Sequence, residues 1–217
     1  MKEAEQNDER YIPLGKALIV ILAVVIVLGI GGTALGYTFF WDKYDVATVT
    51  DMKVERARDL YEKNPKEVKA ILGLAYQLVT SGQNEEALKL YKKAYDMKPD
   101  DPLVQYNVAL GYIGVQKWDE AIKILEPFVE KRKFNFSASY YLGAAYHEKG
   151  EYDKAIKVFN AALVANPGAA DANVYIAKSY LKKGDKVKAT KHIDKALKMV
   201  PNYQEALEVK KLIDSTK

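Results

Sequence analysis

Residues 136–167 read FSASYYLGAAYHEKGEYDKAIKVFNAALVANP. Polar punctuation divides this stretch into two apolar-periodic runs. Phe136 to Glu148 reads as one helix, Lys149-Gly150-Glu151 as a turn, and Tyr152 to Ala165 as a second helix. Gly150 can take the left-handed backbone conformation that closes a helix. Pro167 lacks an amide hydrogen and stops the second helix. Gly143 and Ala155 are small where the two helices must cross, and a larger side chain at either place would push them apart. Tyr146, Tyr152 and Phe159 supply the bulk between neighbouring helices.

A step of 34 residues in either direction finds the same pattern. Ala87, Ala121, Ala155 and Ala189 stand 34 apart, and so do Ala75, Ala109, Gly143 and Ala177. Leu74, Val108, Leu142 and Ile176 keep the step. Tyr112, Tyr146 and Tyr180 keep it too, with Leu78 in the first unit. Gly82, Gly150 and Gly184 mark the turns, and Gln116 fills the remaining slot. Pro99, Pro167 and Pro201 close three units, while the second has Lys133 there. That second unit also departs at Phe128, where the others have alanine, and at Pro127, which predicts a kink or an early end to its second helix. The turn at 131–135 is expected to be irregular.

A period of 34 built from paired helices resembles the tetratricopeptide repeat family. The resemblance covers four full units, from Val68 to Pro201, and several independent columns carry it. Thr50 to Lys63 reads as an unpaired second helix, closed by Asn64-Pro65, that covers the first unit. Tyr203 to Asp214 has the amphipathic pattern of the cap that a solenoid end needs.

The resemblance implies a concave groove lined by the first helices of successive units, in which an extended peptide or a partner helix binds. Carried over by position, the groove candidates are Leu72, Tyr76 and Val79, then Tyr106, Leu110 and Ile113. They continue as Tyr140, Ala144 and His147, then Val174, Lys178 and Leu181. Tyrosine offers large contact area for little lost rotamer freedom, which suits an anchor for a partner. A subtype of the family grips a chaperone's terminal carboxylate with paired Lys and Asn side chains. The matching positions of the first unit hold Leu72 and Tyr76, so that clamp is missing. A mostly apolar peptide or an amphipathic partner helix is the expected ligand. Packing between units is the competing use for Tyr76, Tyr106 and Tyr140.

Ahead of the repeats, Ala17 to Trp41 runs for 25 residues without a charge. A helix of that length spans about 38 Å, more than the roughly 30 Å of a bilayer's hydrocarbon core. Tyr37, Phe39, Phe40 and Trp41 suit the interfacial aromatic belt. A retained single-pass anchor is the expectation. A cleavable signal peptide is the rival, against which stand the length of the run and an N-terminal region with more acidic than basic residues. Gly29, Gly32 and Gly36 share one stripe of the span, where small residues allow close helix packing in lipid. Three Lys or Arg residues stand within 16 positions on each side of the span, so charge does not set its orientation. The habit of a lone N-terminal anchor slightly favours repeats outside the cytoplasm of a prokaryotic cell.

The whole chain has 217 residues, 33 Lys and Arg against 29 Asp and Glu, no cysteine and two histidines. Zero cysteine excludes disulfide scaffolds, thiolate metal sites and cysteine nucleophiles. His147 and His192 fall in different units, and no nucleophile, paired-carboxylate, phosphate-loop or metal-ligand pattern appears. An enzyme is not expected, nor is a cofactor. Lys188, Lys191, Lys195 and Lys198 recur at three- and four-residue steps and share one helix face. That stripe reads either as a solvated outer face or as a docking surface for an acidic partner or anionic headgroups. Nucleic acid is not the expected partner, since no stacking aromatics accompany the lysines.

The expected fold is all-α. A polar tail (1–16) precedes a transmembrane helix (17–41), then a tether and N-terminal capping helix (42–66). Four units follow within 67–201, at about 68–101, 102–135, 136–169 and 170–201, and a C-terminal capping helix completes the chain (202–217). The expected function is a membrane-anchored scaffold or adaptor that binds a partner protein and assists assembly of a membrane or envelope complex. It resembles the single-span repeat proteins that accompany bacterial secretion, pilus or cytochrome-assembly machinery. Two alternatives stay open: a structural subunit held through its transmembrane helix, in a larger membrane complex or a homodimer, and a holdase for translocating clients.

Overall fold

The structure is a computed structural model, and it describes residues 49–132 and 135–215. The chain divides into two compact units, 1–49 and 50–217, and the second carries the helical array. Ten α-helices are found among the described residues. They are α1 (Val49–Lys63), α2 (Val68–Thr80), α3 (Asn84–Met97), α4 (Pro102–Gly114) and α5 (Trp118–Lys131). They continue as α6 (Phe136–Glu148), α7 (Tyr152–Ala165), α8 (Ala170–Lys182), α9 (Lys186–Met199) and α10 (Gln204–Ser215). The third unit's helices fall where its sequence places them. The two flanking helices differ from expectation by single residues at their ends.

Each of the four units is a helical hairpin, and its turn is made the same way every time. The amide of Gln83 donates to the Leu78 carbonyl at 2.8 Å. Lys117 donates to Tyr112, Glu151 to Tyr146 and Asp185 to Tyr180, each at 2.9 Å. This six-to-one bond needs a left-handed residue just before its donor. Gly82, Gly150 and Gly184 supply it with φ of 80°, 81° and 80°. Gln116 is driven into the same region, with φ of 59°, by the bond that its neighbours make. Helix starts are capped where the sequence offers a short acceptor. Asp101, Asn135 and Asp185 each accept a backbone amide from the first turn that follows.

The periodic columns are the core. Ala87, Ala121, Ala155 and Ala189 are fully buried, as are Ala75, Ala109 and Ala177. Gly143 belongs to the second of these columns, and a Cβ there would lie 2.9 Å from the Phe159 ring. Beside the alanines runs a column of bulk, Tyr91, Leu125, Phe159 and Ile193, each 2% exposed or less. Small faces large at every crossing, which lets paired helices approach closely without leaving voids.

Curvature follows from how the layers pack. Among the described residues, α4 touches α2 and α6, α8 touches α6, and α10 touches α8. The second helices α3, α5, α7 and α9 make no such contact with one another. The layer that closes on itself is the inner one, so the first helices line the concave side. α10 takes the place of a further first helix. Ala206, Val209 and Ile213 bury against the last unit, while the small column that holds Ala177 holds the exposed Lys211. That side of α10 is polar and acts as a cap.

Two expectations meet a different outcome. Of the two outcomes expected at Pro127, a kink or an early end, the early end does not occur: α5 runs to Lys131 and matches the 14-residue length of the other second helices. Pro127 and Lys123 face solvent, where water can satisfy the carbonyl that proline leaves without a donor. α1 covers the first unit only in part: Val54 is buried, but Leu60 is 54% exposed. The transmembrane expectation for 17–41, with Gly29, Gly32 and Gly36, lies outside the described residues, as does part of the 131–135 turn. Among the described residues, no helix is long and apolar enough to cross a membrane.

Candidate functional site

The concave face is built from α2, α4, α6 and α8, and its centre is aromatic. Tyr140 lies at the middle of a lattice of rings. Its centroid stands 5.6 Å from Tyr141, 5.7 Å from Phe159 and 5.6 Å from Tyr175, all edge-to-face. Phe159 and Tyr175 stack at 5.2 Å, and Tyr106 reaches the Tyr141 ring at 6.2 Å. Edge-to-face contacts place the positive rim of one ring on the negative face of another. They hold these large side chains in fixed positions.

Between α4, α6 and α8 this lattice leaves a cavity of about 570 Å³. Tyr140, Tyr141, Tyr175 and Trp118 form its aromatic walls, with Ile113 and Ala144 as aliphatic surface. Gln116 and Glu148 are the remaining lining residues. Burial raises the phenol pKa of both Tyr140 and Tyr175 above the ordinary tyrosine value, and the nearby Tyr175 raises that of Tyr140 further. They remain protonated and can donate a hydrogen bond to a ligand carbonyl.

His147 stands at the end of α6, with its ring 5.5 Å from Tyr175. Ser179 spends its hydroxyl proton on the Tyr175 carbonyl at 2.8 Å, so the 2.8 Å contact between His147 and Ser179 has Nδ1–H of the imidazole as donor. Burial holds the His147 pKa below its ordinary value, with Lys178 and Lys182 lowering it and Glu148 opposing them. The imidazole is neutral and helps fix α6 to α8. Lys178 is tied to Glu205 of α10 and lies 5.2 Å from the Tyr175 centroid.

The expected groove residues separate by position. Tyr76 is the most open of them at 58% exposure, and Val79 is also exposed. Tyr106, Leu110, Ile113, Tyr140, Lys178 and Leu181 are half-buried along the concave side. Leu72 and Val174 are a correction: they are 8% and 0% exposed, sealed in the core clusters of the first and last units. Ala144 is only 9% exposed but still lines the cavity. Leu72, Tyr106, Tyr140 and Val174 form one 34-residue column, and its two ends point into the core. The next column holds Gly73, Asn107, Tyr141 and Tyr175, and the last two reach the cavity. One residue along a helix is about 100° of rotation. Trp118, Tyr141, Glu148 and Tyr175 were therefore missed, although the 34-residue register could have found the tyrosines.

Elsewhere, Lys188 of the basic stripe pairs with Asp185 and lies over the Tyr180 ring at 5.2 Å. Lys191, Lys195 and Lys198 are exposed on the outer side of α9. No group of three or more metal-ligating side chains occurs among the described residues.

A tetratricopeptide repeat family model matches residues 54–102 and 106–170, and a second matches 146–213. No curated protein matches the chain significantly. Among solved structures, the chain is similar to MamA AMB-1 at 27% identity and a TM-score of 0.64, over 70% of this chain and 90% of that one. MamA MSR-1 is similar at 26% identity and a TM-score of 0.63, over 77% and 98% of the two chains. YrrB, described as a TPR protein with an unusual peptide-binding site, shares the fold at 22% identity and a TM-score of 0.64, over 78% and 88%. With the 34-residue columns, the repeated turn and two matching family models in agreement, the chain belongs to the tetratricopeptide repeat family.

Proposed function

We propose that this protein is a membrane-anchored scaffold whose concave face binds a partner polypeptide and holds it beside the bilayer. The observation that carries the reading is the aromatic cavity of about 570 Å³ between α4, α6 and α8. Open volume lined by fixed aromatic rings is what a binding surface needs, because little rotamer freedom is lost when a ligand settles on it. Tyr76, Tyr106, Leu110, Ile113, Tyr140, His147 and Lys178 are the proposed groove, joined by Tyr141, Tyr175 and Trp118. The anchor is the uncharged run 17–41, and the repeats lie on the extracytoplasmic side of a prokaryotic cell membrane. There the bound partner is a component of a membrane or envelope complex under assembly.

Affinity capture from detergent extracts tests the groove. The wild type is compared with Tyr140→Ala and Tyr141→Ala, and loss of a stoichiometric partner is expected in the variants. Identical partner lists would remove the groove from the proposal. Protease protection of the C-terminal array in intact cells and spheroplasts tests its side of the membrane.

A second reading rests on Gly32-x-x-x-Gly36, which makes the span itself a packing surface in a larger membrane complex or a dimer. Gly32→Ile and Gly36→Ile separate the two. Loss of complex membership with groove binding intact favours the span.

A further inference from the structure

We propose that the cavity between α4, α6 and α8 takes a cationic side chain of the bound partner, an arginine or a lysine, held between aromatic faces with Glu148 as its counter-charge. The proposal deepens the groove reading above and rests on it. It replaces an unspecified apolar ligand with one that carries a basic anchor.

The lining chemistry selects the ligand. Of the eight residues around the cavity, four are Trp or Tyr and one is ionised, Glu148. Ring faces carry negative charge density and attract cations, most strongly when water is excluded. A carboxylate at the same opening adds a charge-assisted hydrogen bond, and guanidinium is suited to both because it stacks and donates in one plane. An anionic ligand would meet the ring faces and Glu148 with repulsion from each. A purely aliphatic ligand would leave Glu148 facing an apolar group.

The nearby basic side chains do not serve Glu148. Lys149 is bound to Asp119 and Glu151, and Lys178 is bound to Glu205. Glu148 itself has no ion-pair partner within 4 Å among the described residues. The same chemistry recurs inside this chain. Lys154 lies 5.1 Å from the Tyr146 centroid, Lys178 5.2 Å from that of Tyr175, and Lys188 5.2 Å from that of Tyr180. Among the described residues, the Tyr140, Tyr141 and Trp118 faces carry no such lysine or arginine. At Tyr175 the protein makes this contact with its own Lys178, and at the other three aromatic walls of the cavity the cation is left to come from outside.

The test uses the full chain in detergent with Trp41→Phe, which leaves Trp118 as the sole tryptophan. The probes are three acetylated, amidated pentapeptides, Ala-Ala-X-Ala-Ala, with X as arginine, citrulline or leucine. Citrulline keeps the shape of arginine and removes its charge. The arginine peptide is expected to shift Trp118 emission and to bind at least about fivefold more tightly than the citrulline peptide. Glu148→Gln, an exposed and nearly isosteric change, should bring the two within about twofold, and salt should have the same effect. Tyr141→Leu should weaken the arginine peptide alone. Equal binding of arginine and citrulline overturns the proposal, and so does binding of none. A preference for leucine also overturns the basic anchor while leaving the groove in use. Partner capture with the Tyr140→Ala variant judges the groove separately.

Discussion

Lys149 reaches back across the boundary between units to place its Nζ 2.5 Å from Oδ1 of Asp119. Thirty-four residues later, Lys183 does the same to Asp153. Each pair ties the turn of one unit to the start of the preceding unit's second helix. The first junction has Val115 in the lysine slot, and there the Asn84 side chain donates instead to the Gly114 carbonyl at 3.1 Å. At the last unit the acidic slot is Val187, 82% exposed. Asp119→Asn and Asp153→Asn should each lower the melting temperature slightly, and the two losses should add, because separate junctions share no partner. Repeating the melts at about 1 M salt, where the screening length falls to roughly 3 Å, should erase both. Undiminished losses at high salt would assign these aspartates a non-ionic role.

Two helical glycines should respond to alanine with opposite signs. A Cβ on Gly143 would meet three carbons of the Phe159 ring at 2.9 to 3.0 Å, and that ring is wholly buried. Gly143→Ala should destabilise by about 1–3 kcal/mol through overpacking. A Cβ on Gly73 would meet nothing within 4 Å. Gly73→Ala should stabilise by about 0.5–1 kcal/mol through helix propensity alone. Urea denaturation of both variants reads the contrast directly.

Gln116 holds a turn that the other units give to glycine. A side chain in the left-handed region costs about 1–2 kcal/mol, part of which glycine returns through its freer unfolded chain. Gln116→Gly should therefore stabilise the protein by roughly 0.5–1 kcal/mol, measured by denaturant midpoint. An unchanged or lower midpoint would show that the Gln116 side chain makes a compensating contact.

His192 gives the array a pH dependence. Its Nδ1–H donates to Oδ1 of the buried Asn173 at 2.9 Å, joining α9 to α8. Burial, with Lys195 and Lys191 adding to it, lowers its pKa from 6.5 to about 4. The folded form thus binds the proton less readily than the unfolded chain. Its contribution is complete above pH 6.5 and is lost as the pH falls from there towards about 4. His192→Asn keeps a donor near the same place and removes the titration. The melting temperature of the variant should fall less steeply than that of the wild type between pH 6.5 and 4.5. Parallel slopes would overturn the assignment.

Much of the fold is legible in the sequence because its crossing points allow few side chains. Ala87, Ala121, Ala155 and Ala189 must be small for paired helices to touch, so the spacing of those alanines is the spacing of the units. Gly150 and its equivalents announce the turns, and even the exception, Gln116, is found by its register. The candidate site is less legible. Tyr140 and Tyr141 are adjacent, equally aromatic and indistinguishable by composition. Val174 has the character of a groove residue, and so does Leu72, but both are in the core. Glu148 reads as an ordinary polar residue at a helix end until Tyr141 and Tyr175 are seen beside it.

Local sequence thus set the period, the hairpins and the helix limits, since each depends on interactions within one unit or between immediate neighbours. The tertiary structure decided which rotational face of each first helix looks into the concave side. Superhelical curvature is the reason. It arises from first helices touching across units while second helices do not, and that difference belongs to the stack rather than to any single repeat.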